Sequence, residues 1–346
     1  MLFGILLSIL LLLFAAMLLI THLIMRANFG RGEYPTYPVI DYFYDHYQDS
    51  YPRRNVSFLS GKNRLQGYVY GEENTKGLLV FAHGINSGHE SYLQEILWMV
   101  DNGWRVFAYD ATGSCTSEGR GTTGLVQSAL DLHAALSYIE NDKSLKDLPI
   151  CLMGHSWGGY AVAAGLYFEH DVKACASIAG YSDGIQMMMR FAGATMSRAT
   201  AFLRPFAYLE HLFLFGKYAG LTATDGINRG NVPVMLLHGT GDTLVRYDIT
   251  GIVAHKDEIT NPNVTVYPMS EAGQDGHMTI FRNKKSVAHA EEIAAAFADL
   301  QAQYGNNIPN EERAKIVARA DRDLLNLPNE KMLSDINAFF EKHVDQ

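Results

Sequence analysis

Pro149-Ile150-Cys151-Leu152-Met153-Gly154-His155-Ser156-Trp157-Gly158-Gly159-Tyr160-Ala161-Val162-Ala163-Ala164 joins an apolar run, a glycine-flanked turn and a small-residue helical pattern. Residues 149–153 read as a short buried strand, and residues 159–164 as the start of a helix. A strand, a tight turn with serine at its apex and then a helix is the context in which G-x-S-x-G marks a nucleophile elbow. The serine must stand on a strained backbone. Only residues without Cβ let the incoming strand and outgoing helix pass so closely.

The same pattern occurs a second time, as Gly180-Tyr181-Ser182-Asp183-Gly184. Electrostatics separates the two copies. In an elbow, the amide of the residue after serine donates to a developing oxyanion. At Ser182 that residue is Asp183, which sets a carboxylate beside the negative charge; at Ser156 it is Trp157, apolar and able to exclude water. Ser156 is therefore the expected nucleophile, and Ser182 a turn residue.

A serine hydroxyl needs a base, and the base needs an orienting acid. Chain order in this kind of sheet is serine, acid, histidine. Downstream of Ser156, an apolar run at 232–237 leads into His238-Gly239-Thr240-Gly241-Asp242, which presents Asp242 just past a strand end. Asp225, Asp248 and Asp275 lack that placement. Of the 13 histidines, only His277 follows both this acid and another strand before the closing helix. His255 falls in a helical pattern, His289 at the threshold of the closing helix and His343 in the tail. The second oxyanion donor is expected from His83-Gly84-Ile85-Asn86, where Gly84 allows the turn and the amide of Ile85 joins that of Trp157. His83, His155 and His238 are expected to brace these loops.

Working outward, strand-like and helix-like segments alternate from residue 56. Residues 56–59 and 65–70 read as an antiparallel pair; 77–82, 104–109, 173–179, 232–237 and 264–267 read as further strands, with helical spacing at 92–100 and 124–139. Such alternation predicts an α/β fold, a mostly parallel sheet of about eight strands covered on both faces. Its functional loops gather at the strands' C-terminal ends. Residues 183–230 interrupt the rhythm with Met187, Met188, Met189, Met196, Phe191, Phe202, Phe206, Phe213 and Phe215, and read as a helical cap. Methionine and phenylalanine make adaptable surfaces for acyl chains. Met187, Met188, Phe191 and Phe213 are the expected substrate contacts, the alternative being that they glue the cap to the body. Five cations of this insert (Arg190, Arg198, Arg204, Lys217, Arg229) face three carboxylates (Asp183, Glu210, Asp225). A plausible closing helix covers 290–304. In the tail, Met332, Leu333, Ile336, Phe339 and Phe340 recur at helical spacing, which predicts two helices, the last docking on the body.

The set His83-Gly84, Tyr109-Asp110-Ala111-Thr112-Gly113, Gly154–Gly159, His238–Asp242 and Gly276-His277 resembles the α/β-hydrolase superfamily. It is most similar to its esterase, lysophospholipase, monoacylglycerol lipase and serine aminopeptidase-like branch. The resemblance covers residues 56 to about 303. It implies an α/β-hydrolase fold and hydrolysis through an acyl-enzyme. The chain departs from it by its N-terminal apolar run, its tail, and Thr112 where many relatives carry arginine.

Residues 2–25 carry no charged side chain, and exceed the ~20 residues needed to cross a hydrocarbon core. A signal peptide is the alternative; the run is long for one, no Lys or Arg precedes it, and no A-x-A site is obvious. The expected organisation is an anchor at 1–25, a stem at 26–55, a catalytic domain at 56–303 with the cap at 183–230, and a helical tail at 304–346. Arg26 and Arg31 after the span favour a single-pass anchor in the cell membrane with a cytoplasmic catalytic domain. The stem tyrosines (Tyr34, Tyr37, Tyr42, Tyr44, Tyr47, Tyr51), spaced by Pro35, Pro38 and Pro52, suit either a membrane-interface belt or packing on the domain.

A formal charge of −9 argues against nucleic acid as a partner. Cys115, Cys151 and Cys175 show no C-x-x-C spacing, and H-E-x-x-H is absent, so no metal or cofactor is expected. The expected activity is cleavage of carboxylic, acyl or lipid-like esters. The same three residues would also serve an aminopeptidase, amidase or acyltransferase. A binding scaffold has no need of them in that order.

Overall fold

The computed structural model describes residues 1–34, 42–195 and 202–344; Pro35, Tyr37, Pro38, Met196 and Arg198 lie outside these described residues. After the N-terminal helix α1 (Leu2–Asn28), the strands are β1 (Arg53–Ser60), β2 (Asn63–Tyr70), β3 (Leu78–Ala82), β4 (Arg105–Tyr109), β5 (Ile150–His155), β6 (Val172–Ile178), β7 (Val234–Gly239) and β8 (Val264–Met269). They form one eight-stranded sheet in the order β1-β2-β4-β3-β5-β6-β7-β8. β1 pairs antiparallel with β2, and β2 with β4; every other pairing is parallel.

Side-chain alternation shows why these apolar runs are two-faced strands. In β3, Leu78, Val80 and Ala82 enter one core while Leu79 and Phe81 enter the other. β5 repeats this, with Ile150 and Leu152 on the first side and Cys151 and Met153 on the second. The first core is covered by α3 (Gln127–Ile139), α4 (Trp157–Gly165) and α7 (Ala223–Gly230), the second by α2 (Leu93–Asp101) and α11 (Glu330–Val344).

Between β6 and β7 the cap comprises α5 (Gly184–Thr195) and α6 (Arg204–Phe215). The range expected from sequence for the cap, 183–230, also takes in α7 (Ala223–Gly230). α7 packs closely on α4, where a Cβ on Gly226 would meet the backbone of Ala163 and Ala164. Thr222 caps α7 by accepting from Asp225 N at 3.1 Å, and Asn231 ends it in the left-handed region.

The closing helix α8 (Lys284–Tyr304) starts six residues before the expected 290, at an Asn283 cap that accepts from Ser286 N at 2.9 Å. The tail holds three helices rather than two: α9 (Asn310–Val317), α10 (Arg322–Leu325) and α11. α11 docks as its spacing predicts, burying Met332, Leu333, Ile336 and Phe340. Phe340 meets Trp104 edge-on at 5.7 Å, and Trp104 Nε1 donates to Asn337 at 2.7 Å. The described stem tyrosines pack onto the body. Tyr44, Tyr47 and Tyr51 lie against the second core, and Tyr34 donates to Asp110.

Candidate active site

The ends of β3, β5, β7 and β8 deliver His83, Ser156, Asp242 and His277 to one edge of the sheet. Ser156 sits between β5 and α4 with φ 57° and ψ −111°, the strained conformation expected at a serine elbow. The flanking glycines permit it. A Cβ on Gly154 would collide with the carbonyl of Gly158, and one on Gly158 with that of Ala82. α4 begins at Trp157, two residues before the expected start, because the serine is itself its cap. The Trp157 indole is buried and donates to Leu125 O at 2.8 Å.

Ser156 donates to His277 Nε2 at 2.9 Å, and His277 Nδ1 donates to Asp242 Oδ2 at 2.6 Å. The other Asp242 oxygen accepts from Leu244 N and Val245 N at 2.8 and 2.9 Å. Burial alone would raise the Asp242 pKa. Hydrogen bonds and charge from His238 and His277 outweigh it and hold the carboxyl well below the usual range. Asp242 is therefore ionised at neutral pH. Ser156 is only 7 % exposed, so its surroundings largely exclude water.

Two of the other acids weighed from the sequence are engaged elsewhere. Asp225 closes a capping box, and Asp248 pairs with Arg246 at 2.6 Å. The Asp275 carbonyl accepts from Gly241 N at 3.1 Å. Ser182 lies in a buried turn, its amide donating to Thr250 O at 3.0 Å and its carbonyl accepting from Ala223 N at 2.9 Å.

The three bracing histidines each lock a loop. His83 Nδ1 donates to Gly84 O at 2.7 Å while Nε2 accepts from Ala111 N at 2.9 Å; this fixes the neutral tautomer, and burial lowers its pKa. His238 Nε2 donates to Val245 O at 2.7 Å. His155 Nε2 donates to His277 O at 3.0 Å. Burial, and then the neighbouring His277, push the His155 pKa far down and keep it neutral. Among the described residues, the amides of Ile85 and Trp157 have no hydrogen-bond partner.

Tyr92 was not singled out by the sequence for this site. Its hydroxyl accepts from Gly84 N at 3.1 Å and donates to His155 Nδ1 at 2.8 Å. One phenol thus links the Gly84–Ile85 loop to the loop that carries His277. A second unforeseen pair lies behind the same loop. His89 and Asp110, both fully buried, meet at 2.9 Å, and Asp110 also accepts from Tyr34, Thr116 and His89 N. Neither pair has a signature in spacing, because each joins separate strand-end loops.

The expected substrate contacts are dispersed. Met187 and Met188 are 1 % and 2 % exposed and belong to the first core. Met188 and Phe191 line a narrow crevice against Met25 and Phe29 of the N-terminal segment. Phe213 is 90 % exposed on α6. Phe191 also borders a cleft of about 470 Å³, with Gln186, Thr243, Leu244 and Ile249, next to the Asp242 loop. Arg190 holds α5 to that loop by donating to Thr243 O and Leu244 O at 3.0 and 3.2 Å.

The family model described as serine aminopeptidase, S33, matches residues 73–208. A polyketide transferase, grgF, of Penicillium sp is 27 % identical over 137 residues, 38 % of this chain and 46 % of that protein, so the match spans about half of that relative's length. Among solved structures, an esterase of Pyrococcus furiosus aligns with TM-score 0.54 at 17 % identity, covering 80 % of this chain and 98 % of that one. An acylaminoacyl peptidase of Pyrococcus horikoshii aligns with TM-score 0.51 at 17 % identity over 77 % of this chain and 44 % of that one. Both are likenesses of fold. Together with the strand order, they show that this chain has an α/β-hydrolase fold.

Proposed function

We propose that the chain is a membrane-anchored serine hydrolase of carboxylic esters, with acyl or lipid-like esters as its substrates. The hydrogen-bonded series Ser156–His277–Asp242, rooted in three strand ends, carries this reading. Ser156 Oγ attacks the ester carbonyl as its proton passes to His277 Nε2. Asp242 holds the imidazole with Nδ1 protonated and offsets the imidazolium charge. The tetrahedral oxygen faces the free amides of Ile85 and Trp157. His277 then protonates the leaving alcohol, leaving an acyl group on Ser156. Water, deprotonated by the same histidine, releases the acid. The apolar cleft beside the Asp242 loop suits an acyl chain.

α1, which is long and apolar enough to cross a bilayer, supports the anchor. Arg26 follows its apolar run and favours a cytoplasmic domain.

Transfer of the acyl group to an acceptor other than water is a second reading, favoured by the likeness to a polyketide transferase. An aminopeptidase ranks below both. Glu210 and Asp183, the cap carboxylates available to a free amine, are engaged with His22 and with the amides that start α5.

The test is turnover by the full-length protein of short-chain esters, monoacylglycerols and aminoacyl amides, with and without an added alcohol. Esters should react faster than amides, and Ser156→Ala should lose on the order of 10³-fold or more. Faster amide turnover reverses the assignment. Product partitioning mainly to the added alcohol favours the transferase reading.

A further inference from the structure

The outer face of α6 is apolar without a protein covering. α6 buries Ala207, His211 and Phe215, one stripe at i, i+4 and i+8. Around that stripe Tyr208, Leu209, Leu212, Phe213 and Leu214 are 39–90 % exposed, and Phe202 just before the helix is 77 % exposed. A water-facing helix carries polar residues there, and an apolar patch of this kind marks a contact surface.

α6 packs along α1. The rings of Phe14 and Phe206 lie 5.4 Å apart, and His22 Nδ1 meets Glu210 Oε1 at 2.8 Å. The apolar run before His22 is about 30 Å long at 1.5 Å per residue, the thickness of a hydrocarbon core. His22 with Glu210 therefore marks the membrane boundary, and Phe14 with Phe206 lies about 12 Å deeper.

At the boundary itself a groove of about 890 Å³ opens beside His22 and Glu210. Arg26, Lys62 and Arg120 line it, all exposed, and none has a carboxylate partner among the described residues. Of the carboxylates there, Glu210 holds His22, and Glu118 accepts from Arg64 N at 2.8 Å.

We propose that α6 is a second membrane contact, which dips into the bilayer beside α1 while the Arg26–Lys62–Arg120 groove takes anionic lipid headgroups. This rests on the reading of α1 as an anchor. The apolar faces of α6 and α1 form one continuous surface, and the unpaired cations sit where headgroup phosphates lie. The helix pair between β6 and β7 is then itself in contact with lipid.

The test uses the full chain in vesicles of phosphatidylcholine and phosphatidylglycerol. An environment-sensitive fluorophore is placed on one added cysteine at a time: Leu11→Cys in α1, Phe213→Cys in α6, Asn63→Cys beside the groove and Lys331→Cys on α11. The three native thiols are buried, and burial raises their pKa values, so they stay unlabelled. Circular dichroism verifies that each variant is folded. Quenching by lipids brominated on the acyl chain should be several-fold stronger at Leu11 and Phe213 than at Lys331. If Leu11 is quenched and Phe213 matches Lys331, the α6 contact is refuted while the anchor stands. If neither is quenched, the anchor reading fails and the contact falls with it. Energy transfer from Asn63 to a headgroup-labelled acidic lipid should exceed that to a zwitterionic one, and K62E/R120E should remove the excess. Equal transfer in the unmutated groove overturns the headgroup site.

Discussion

Ser156 and Ser182 share a five-residue pattern, and backbone geometry distinguishes them. Ser156 has φ 57°, whereas Ser182 is not among the residues at positive φ. The glycines and the apolar strand before Ser156 were legible in the sequence. The Tyr92 contacts were not, because a phenol between two loops leaves no periodic trace. Replacing Asp242 with Asn deprives His277 of its orienting charge, and kcat should fall by about 10⁴-fold with folding intact. Steady-state kinetics beside a urea melt separate the two effects. Tyr92→Phe strands the Gly84 amide and His155 Nδ1, both buried, and should cost about 1–3 kcal/mol of stability in urea unfolding. Unchanged stability would mean that water replaces the hydroxyl.

At the level of elements, the strands were the readable part. Leucine, valine and isoleucine runs bounded by glycine and charge have few other uses in a chain of this length. α7, Ala-Thr-Asp-Gly-Ile-Asn-Arg-Gly, supplies only the apolar side chains of Ala223 and Ile227 to its buried face. It docks through close approach, with Gly226 against the α4 backbone and Gly230 against Leu166. Hydropathy does not register contacts made by an absent side chain. The C-terminal helix was readable from its spacing, and its contribution is measurable. Leu333 is fully buried, so Leu333→Ala should destabilise the domain by about 2–5 kcal/mol by urea unfolding. Gly158→Ala forces a methyl into the Ala82 carbonyl and should prevent folding or cost several kcal/mol, read as loss of soluble expression.

Across the whole molecule, acid stability depends on buried carboxylates at the strand ends. Burial raises the Asp110 pKa, but the charge and hydrogen bonds of His89 more than reverse this and leave it well below the ordinary value. A carboxyl depressed in the folded state stabilises it fully above the unfolded pKa near ~3.9; the benefit declines as pH falls below that value and is gone once pH has passed through the lower folded-state pKa. Wild-type stability should therefore hold at neutral pH and drop below about pH 4.5. Asp110→Asn should be less stable at pH 7 and show a flatter acid limb in urea midpoints against pH. An equally steep limb in the variant would assign the acid sensitivity to other groups.

The account as a whole turns on which serine is activated. Its most direct test is to treat the full-length protein with a fluorophosphonate and locate the adduct by peptide mass spectrometry. The prediction is modification at Ser156, none at Ser182, and loss of labelling in both Ser156→Ala and His277→Ala. Labelling at Ser182, or labelling of Ser156→Ala equal to wild type, would contradict it.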